Sequence, residues 1–210
     1  MNQVQNLKKF SDLSYFDKNT LSQFIKLSDK SLYAAINRWI KNGKIIQLKK
    51  GLYVTGDYID KMSGKQAYLD FIANRLKFPS YLSLEYVLQK YSVLSESVFS
   101  ITSITLKSKR IYRNKLGIFI YRSIRESLFT GYAIKKNNGF EIKEATKAKA
   151  LFDYLYLKLF RIKSPDKQLL NSFRLNLDEF SSEDKREFDD YCQLLGIKKY
   201  KKLPLLLFHP

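Results

Sequence analysis

Apolar residues follow two different periods along this chain. In the first sixty residues the period is helical. Val4, Leu7, Phe10 and Leu13 predict a first helix, and Leu21, Phe24 and Ile25 a second over about Thr20 to Lys26. Leu27-Ser28-Asp29 reads as a turn, with Ser28 as N-cap of a third helix that reaches about Lys41 on Leu32, Ala35, Ile36, Trp39 and Ile40. Asn42-Gly43 stops it, because glycine tolerates the left-handed conformation a helix end needs. Ile45 to Leu48 and Leu52 to Thr55, joined by Lys49-Lys50-Gly51, then predict a two-stranded ribbon. Helix, helix, turn, helix and basic-tipped hairpin is the order of a winged helix-turn-helix.

Beyond a mixed stretch from Gly56 to Gly64, read as the interdomain connection, the pattern predicts a helix from Lys65 to about Lys77, ended by Pro79. Ser83 is placed to cap another helix carrying Leu84, Val87, Leu88 and Tyr91. Val98 to Leu106 alternates and is β-branched, so it predicts a strand. Ile111-Tyr112 and Gly117 to Ile124 predict further strands, and Tyr132 to Ile134 with Phe140 to Ile142 a hairpin around Asn137-Asn138-Gly139. Helix returns at Lys147 to Phe160 and again after Ser164-Pro165. Ser181 and Gly196 bound a later helix, and Leu203 to Phe208 form an apolar tail expected to dock. The expected fold class is α+β: a winged helix-turn-helix over 1–60, then a mixed sheet-and-helix domain over 61–210.

Composition narrows the class. Among 210 residues, 45% are hydrophobic and 15% aromatic, which is ample for a packed core. With one cysteine, Cys192, a disulfide framework and a Cys-rich metal site are excluded. No run approaches the roughly 18 apolar residues of a membrane span. Met1 to Phe10 lacks the apolar core of a signal peptide, so a soluble cytoplasmic protein is expected.

The charge is strongly uneven. The chain carries 38 Lys+Arg against 20 Asp+Glu, a formal +18. Residues 61–163 hold +13 of it, and no acid occurs between Glu96 and Glu126. That gap contains Lys107, Lys109, Arg110, Arg113, Lys115, Arg122 and Arg125, a second basic surface that would attract a polyanion. In the N-terminal module, removing the apolar positions of the third helix leaves Lys30, Ser31, Tyr33, Ala34, Asn37, Arg38 and Lys41 as its outer side. Asn pairs bidentately with adenine and Arg with guanine, so Asn37 and Arg38 are the candidate base readers. Lys30, Ser31 and Tyr33 suit phosphates, and Lys49 and Lys50 at the wing tip would hold the flank of a duplex.

Catalytic sets are missing from the sequence. The single histidine, His209, is penultimate, and Cys192 reads as a small core residue on an amphipathic helix. There is no Walker loop and no His-Glu-x-x-His. A nucleotidyltransferase would need a Gly-Ser turn with carboxylates spaced for a metal, and neither a Gly-Ser pair nor an Asp-x-Asp occurs; Asp189 and Asp190 are adjacent on a helix and point apart. No enzyme activity, metal or cofactor is expected.

Several segments in order resemble the AbiEi-like antitoxins of type IV toxin–antitoxin (abortive infection) systems. These are Phe78 to Leu94, Val98 to Arg110, Leu116 to Ile124, Ser127 to Tyr132 and Glu144 to Leu157, with the Lys49 to Tyr53 wing. The similarity spans about residues 5–180, and the chain departs from the family's pattern in having Lys147-Ala148 where a proline-glutamate pair is common. The resemblance implies a DNA-binding N-terminal domain that represses its own operon and a C-terminal antitoxin domain that counters a nucleotidyltransferase toxin, with or without direct contact. The expected partners are therefore double-stranded promoter DNA and that toxin, with no membrane. A monomer binding cooperatively to repeated sites is one arrangement compatible with this, the oligomeric state being open in the sequence. The alternative is a protein- or RNA-binding module that does not read DNA.

Overall fold

In the computed structural model the structure describes residues 7–208. It is mixed α+β, with one sheet of three strands and one of six. The chain divides into two compact units: residues up to Leu69 with Tyr112–Ile118, and Asp70–Ile111 with the residues from Phe119 onward. The boundary expected at residue 60 therefore differs from this division, which falls inside a helix, Lys65–Leu76. Tyr68 explains the difference. Its ring is buried and its hydroxyl donates to the Ser14 carbonyl at 2.8 Å, within the first unit.

In the first unit, strand β1 (Phe16–Asp17) leads into α1 (Lys18–Phe24) and α2 (Asp29–Lys41), followed by β2 (Ile45–Lys49), β3 (Leu52–Thr55) and α3 (Gly56–Asp60). Helix α1 begins two residues before the expected Thr20, because the Asp17 carboxylate accepts the Thr20 N–H at 2.8 Å and so caps it. That bond, with the Thr20 hydroxyl, holds the Asp17 carboxyl below its ordinary range. Ser28 caps α2 as expected, its hydroxyl accepting from the Ser31 N–H at 3.3 Å. Leu21, Leu32, Ile36 and Trp39 pack with Ile45 and Tyr53 in one core.

Three details differ from the sequence expectation. The ribbon gains a third strand, with order β1-β3-β2 and Phe16 opposite Tyr53. The stretch after Thr55 is helical from its first residue, because the Thr55 hydroxyl accepts the Tyr58 N–H at 3.1 Å. Glycine is required at Gly56, where a Cβ would stand 2.6 Å from the Gly43 carbonyl oxygen. Of the expected first helix, Val4 lies outside the described residues; Leu7 and Phe10 are buried, but the helix ends at Lys8, the chain turns over 9–12 and Leu13 is exposed.

The larger sheet has the order β6-β7-β5-β4-β9-β8. Its strands are β4 (Ser80–Leu82), β5 (Ser100–Thr105), β6 (Arg110–Asn114), β7 (Gly117–Ser123), β8 (Tyr132–Asn137) and β9 (Phe140–Ala145). Strand β4 is antiparallel to β5 and parallel to β9, with Leu82 opposite Glu144, so the sheet is mixed. The helices are α4 (Lys65–Leu76), α5 (Leu84–Lys90), α6 (Lys147–Lys158), α7 (Lys167–Ser172), α8 (Ser182–Leu195), α9 (Lys198–Lys201) and α10 (Leu203–Phe208). Helix α6 packs against α5, α8 and β9 and is buried continuously from Ala148 to Tyr156. That explains its lack of a polar face: a helix enclosed on every side has none to present. The apolar tail docks as α10, with Phe208 5.6 Å from both Phe180 and Phe188.

Ser83 does not cap α5. Its hydroxyl donates instead to buried Asp153 at 2.7 Å, and the capping role passes to Thr102 on β5. The Thr102 hydroxyl accepts from the Tyr86 N–H at 3.1 Å and donates to the Ser83 carbonyl at 2.6 Å. Asp153 also accepts from Tyr81 at 3.0 Å and pairs with Lys149 one turn away, both members of the pair being wholly buried.

Candidate nucleic-acid interface

Helix α2 sorts its side chains cleanly. Leu32, Ala35, Ile36 and Trp39 are buried, whereas Lys30, Ser31, Tyr33, Asn37, Arg38 and Lys41 are exposed. Positions 30, 33, 34, 37, 38 and 41 stand at helical neighbour spacing, so they form a single stripe. Thirteen residues make a rod of roughly 20 Å, and an α-helix is narrow enough for the major groove of a duplex.

The stripe is braced from α1 by Lys18. Its ammonium pairs with Asp29 at 2.9 Å and stands 4.6 Å from the centre of the Tyr33 ring. The hydrogen bond to Asp29 holds Lys18 above its usual range, so the cation is present at any physiological pH. Sequence reasoning missed Lys18, because its partner is eleven residues away and no local pattern pairs them.

At the hairpin tip Lys50 is exposed and Lys49 half-buried, with Gly51 supplying a φ of 81° for the turn. The strand kinks between Gln47 and Lys49, and the freed Leu48 carbonyl accepts from the Asn114 side chain at 2.9 Å within this unit.

All seven residues of the expected second basic surface are exposed, but they do not belong to one unit. Arg113 and Lys115 belong to the first; Lys107, Lys109, Arg110, Arg122 and Arg125 belong to the second. Lys77, missed in the sequence, joins Lys107 and Arg110: burial first, then the charges of those two neighbours, pushes its ammonium below the usual range. Lys109, Arg122 and Arg125 stand together on the wall of a cavity.

Of the residues weighed for catalysis, Cys192 is buried, and that burial pushes its thiol up, away from a reactive thiolate. Asp189 accepts from Gln193 one turn on, at 3.0 Å. His209 lies outside the described residues. Among the described residues no helix is long and apolar enough to cross a membrane. No protein-family model matches the chain, and no curated protein matches it significantly in sequence.

Proposed function

We propose that the first unit is a winged helix-turn-helix that binds double-stranded DNA sequence-specifically, and that the chain represses its own promoter by occupying it. One observation supports this above the others: α2 turns a largely polar and cationic stripe, interrupted only by Ala34, to solvent while its opposite side fills the core. In this reading Asn37 and Arg38 reach base edges, Lys30, Ser31, Tyr33 and Lys41 hold phosphates, and Lys49 and Lys50 clamp the flank.

A gel-shift titration on the DNA upstream of the gene tests it. About six phosphate contacts give a log–log slope of binding on salt near −5. Arg38→Ala should cost about 1–3 kcal/mol at the operator and little on random DNA. Equal losses on both would make Arg38 a phosphate contact, and a flat salt response would favour a protein-binding module.

The resemblance to AbiEi-like antitoxins extends the proposal to the second unit, which would counteract a nucleotidyltransferase toxin encoded beside it. The full chain, co-expressed with that neighbour, should relieve growth arrest. The Asn37→Ala/Arg38→Ala variant should still relieve it while failing in the gel shift. Loss of both activities together would tie neutralisation to DNA occupancy instead.

A further inference from the structure

The second unit holds a cavity of about 650 Å³, within the size range of small-molecule sites. Its inner wall is apolar and aromatic: Leu84, Ile124, Tyr154 and Tyr156 line it, each more than nine-tenths buried. Its mouth is cationic. Lys109, Arg122, Arg125 and Lys158 all line it and are exposed, against one carboxylate, Glu85. Among the described residues no carboxylate forms an ion pair with any of the four. Phe160, 60% exposed, offers a ring at the same edge, 6.3 Å from Tyr156.

Each half of this lining narrows the ligand. Cations gathered around a concave mouth with low-dielectric walls focus a positive potential that a compact polyanion relieves, and arginine suits phosphate oxygens bidentately. The aromatic wall asks for a flat, largely apolar body. Burial pushes the Tyr154 hydroxyl up to about 12, so it remains a neutral donor. Glu85 can accept from an amino N–H or a sugar hydroxyl. A DNA duplex, convex and some 20 Å across, cannot enter a cavity of small-molecule size. Leu84 adds an independent sign: it reaches the cavity from a left-handed backbone (φ 64°) held by Thr102 on either side. Such outliers cluster at ligand sites.

We propose that this cavity binds a nucleoside polyphosphate, with the phosphates on Arg122, Arg125, Lys109 and Lys158 and the base against Phe160 and Tyr156. The full chain is titrated calorimetrically with ATP, GTP, CTP and UTP, with inorganic tripolyphosphate as the base-free probe. At least one triphosphate should bind roughly 5- to 100-fold tighter than tripolyphosphate, the range base–aromatic stacking supports. Phe160→Ala should reduce that preference several-fold without weakening tripolyphosphate. Arg122→Gln/Arg125→Gln should weaken both about tenfold or more, at an unchanged melting temperature, since both side chains are exposed. Triphosphates that bind no tighter than tripolyphosphate, or a preference unchanged by Phe160→Ala, would overturn the proposal. So would single-stranded RNA binding through these residues while all four mononucleotides fail.

Discussion

Lys149 and Asp153 form the least expected feature at the scale of single residues. An i,i+4 pair of this kind on an exposed helix contributes a few tenths of a kcal/mol. Here both members are wholly buried, and the ammonium is ringed by Tyr81, Phe152 and Tyr191 at 5.7, 5.0 and 5.2 Å from the ring centres. Burial raises the Asp153 carboxyl, against the opposing pull of Lys149, Ser83 and Tyr81. Removing only one partner would strand the other without water, so Lys149→Met should cost about 3–5 kcal/mol. Replacing both by apolar residues should recover most of that loss. Urea denaturation at constant m-value measures the two variants, and a single-variant loss under about 1 kcal/mol would mean Asp153 is carried neutral. Nothing near Lys149 in the sequence announces this pair as buried, because Tyr81 and Ser83 lie about seventy residues away.

Elements with their own local punctuation are legible in the sequence alone. Helix α2 lies between Ser28 and Asn42, and α8 between Ser181 and Gly196, whose φ is 73°; each end is written within a few residues of the helix it bounds. The stripe on α2 follows from the same periodicity, by subtraction of its apolar side. Strands β1 and β4 were not legible. Two or three residues show no alternation, and β4 is buried throughout. The cavity was legible only by halves: Lys109, Arg122 and Arg125 stand in the acid-free gap, while Lys158, Tyr154 and Tyr156 belong to a helix that reads as plain core. The cap of α5 shows why local rules failed there, since a serine at the right position was drawn off by Asp153 and a threonine from β5 replaced it. Thr102→Val should therefore cost about 1–3 kcal/mol by orphaning the Tyr86 N–H and removing the bond to the Ser83 carbonyl. Amide exchange should rise first at Tyr86, and unchanged protection there would restore Ser83 as the effective cap.

Over the whole molecule, a formal charge of +18 means that each carboxylate matters twice, once for its own contacts and once against the general repulsion. Glu144 faces two lysines. Burial alone would raise its carboxyl, but Lys135 at 2.7 Å and Lys90 outweigh that and hold it below the ordinary range. A carboxylate depressed in the folded state contributes stability above its unfolded value, near 4.3, and that contribution is lost as pH falls through the folded value. Asp17 and Asp184 act with the same sign, and Asp153, raised by burial, with the opposite one. Total acid sensitivity therefore mixes several groups, and a comparison between two chains isolates one. Glu144→Gln should be about 1–3 kcal/mol less stable than the natural chain at pH 7, having kept the shape but lost the charge facing two lysines. The gap should narrow steadily below pH ~4.3, as the natural chain protonates Glu144 and comes to resemble the variant. Denaturant midpoints at pH 7, 5, 4 and 3 give the curve. A gap that stays constant down to pH 3 would show that the amide's hydrogen-bonding geometry, and not the charge, sets the loss. A gap that also shrinks in salt at pH 7 would be consistent with Lys90 and Lys135 meeting the carboxylate partly in solvent, as their side-chain exposures of 37% and 45% indicate.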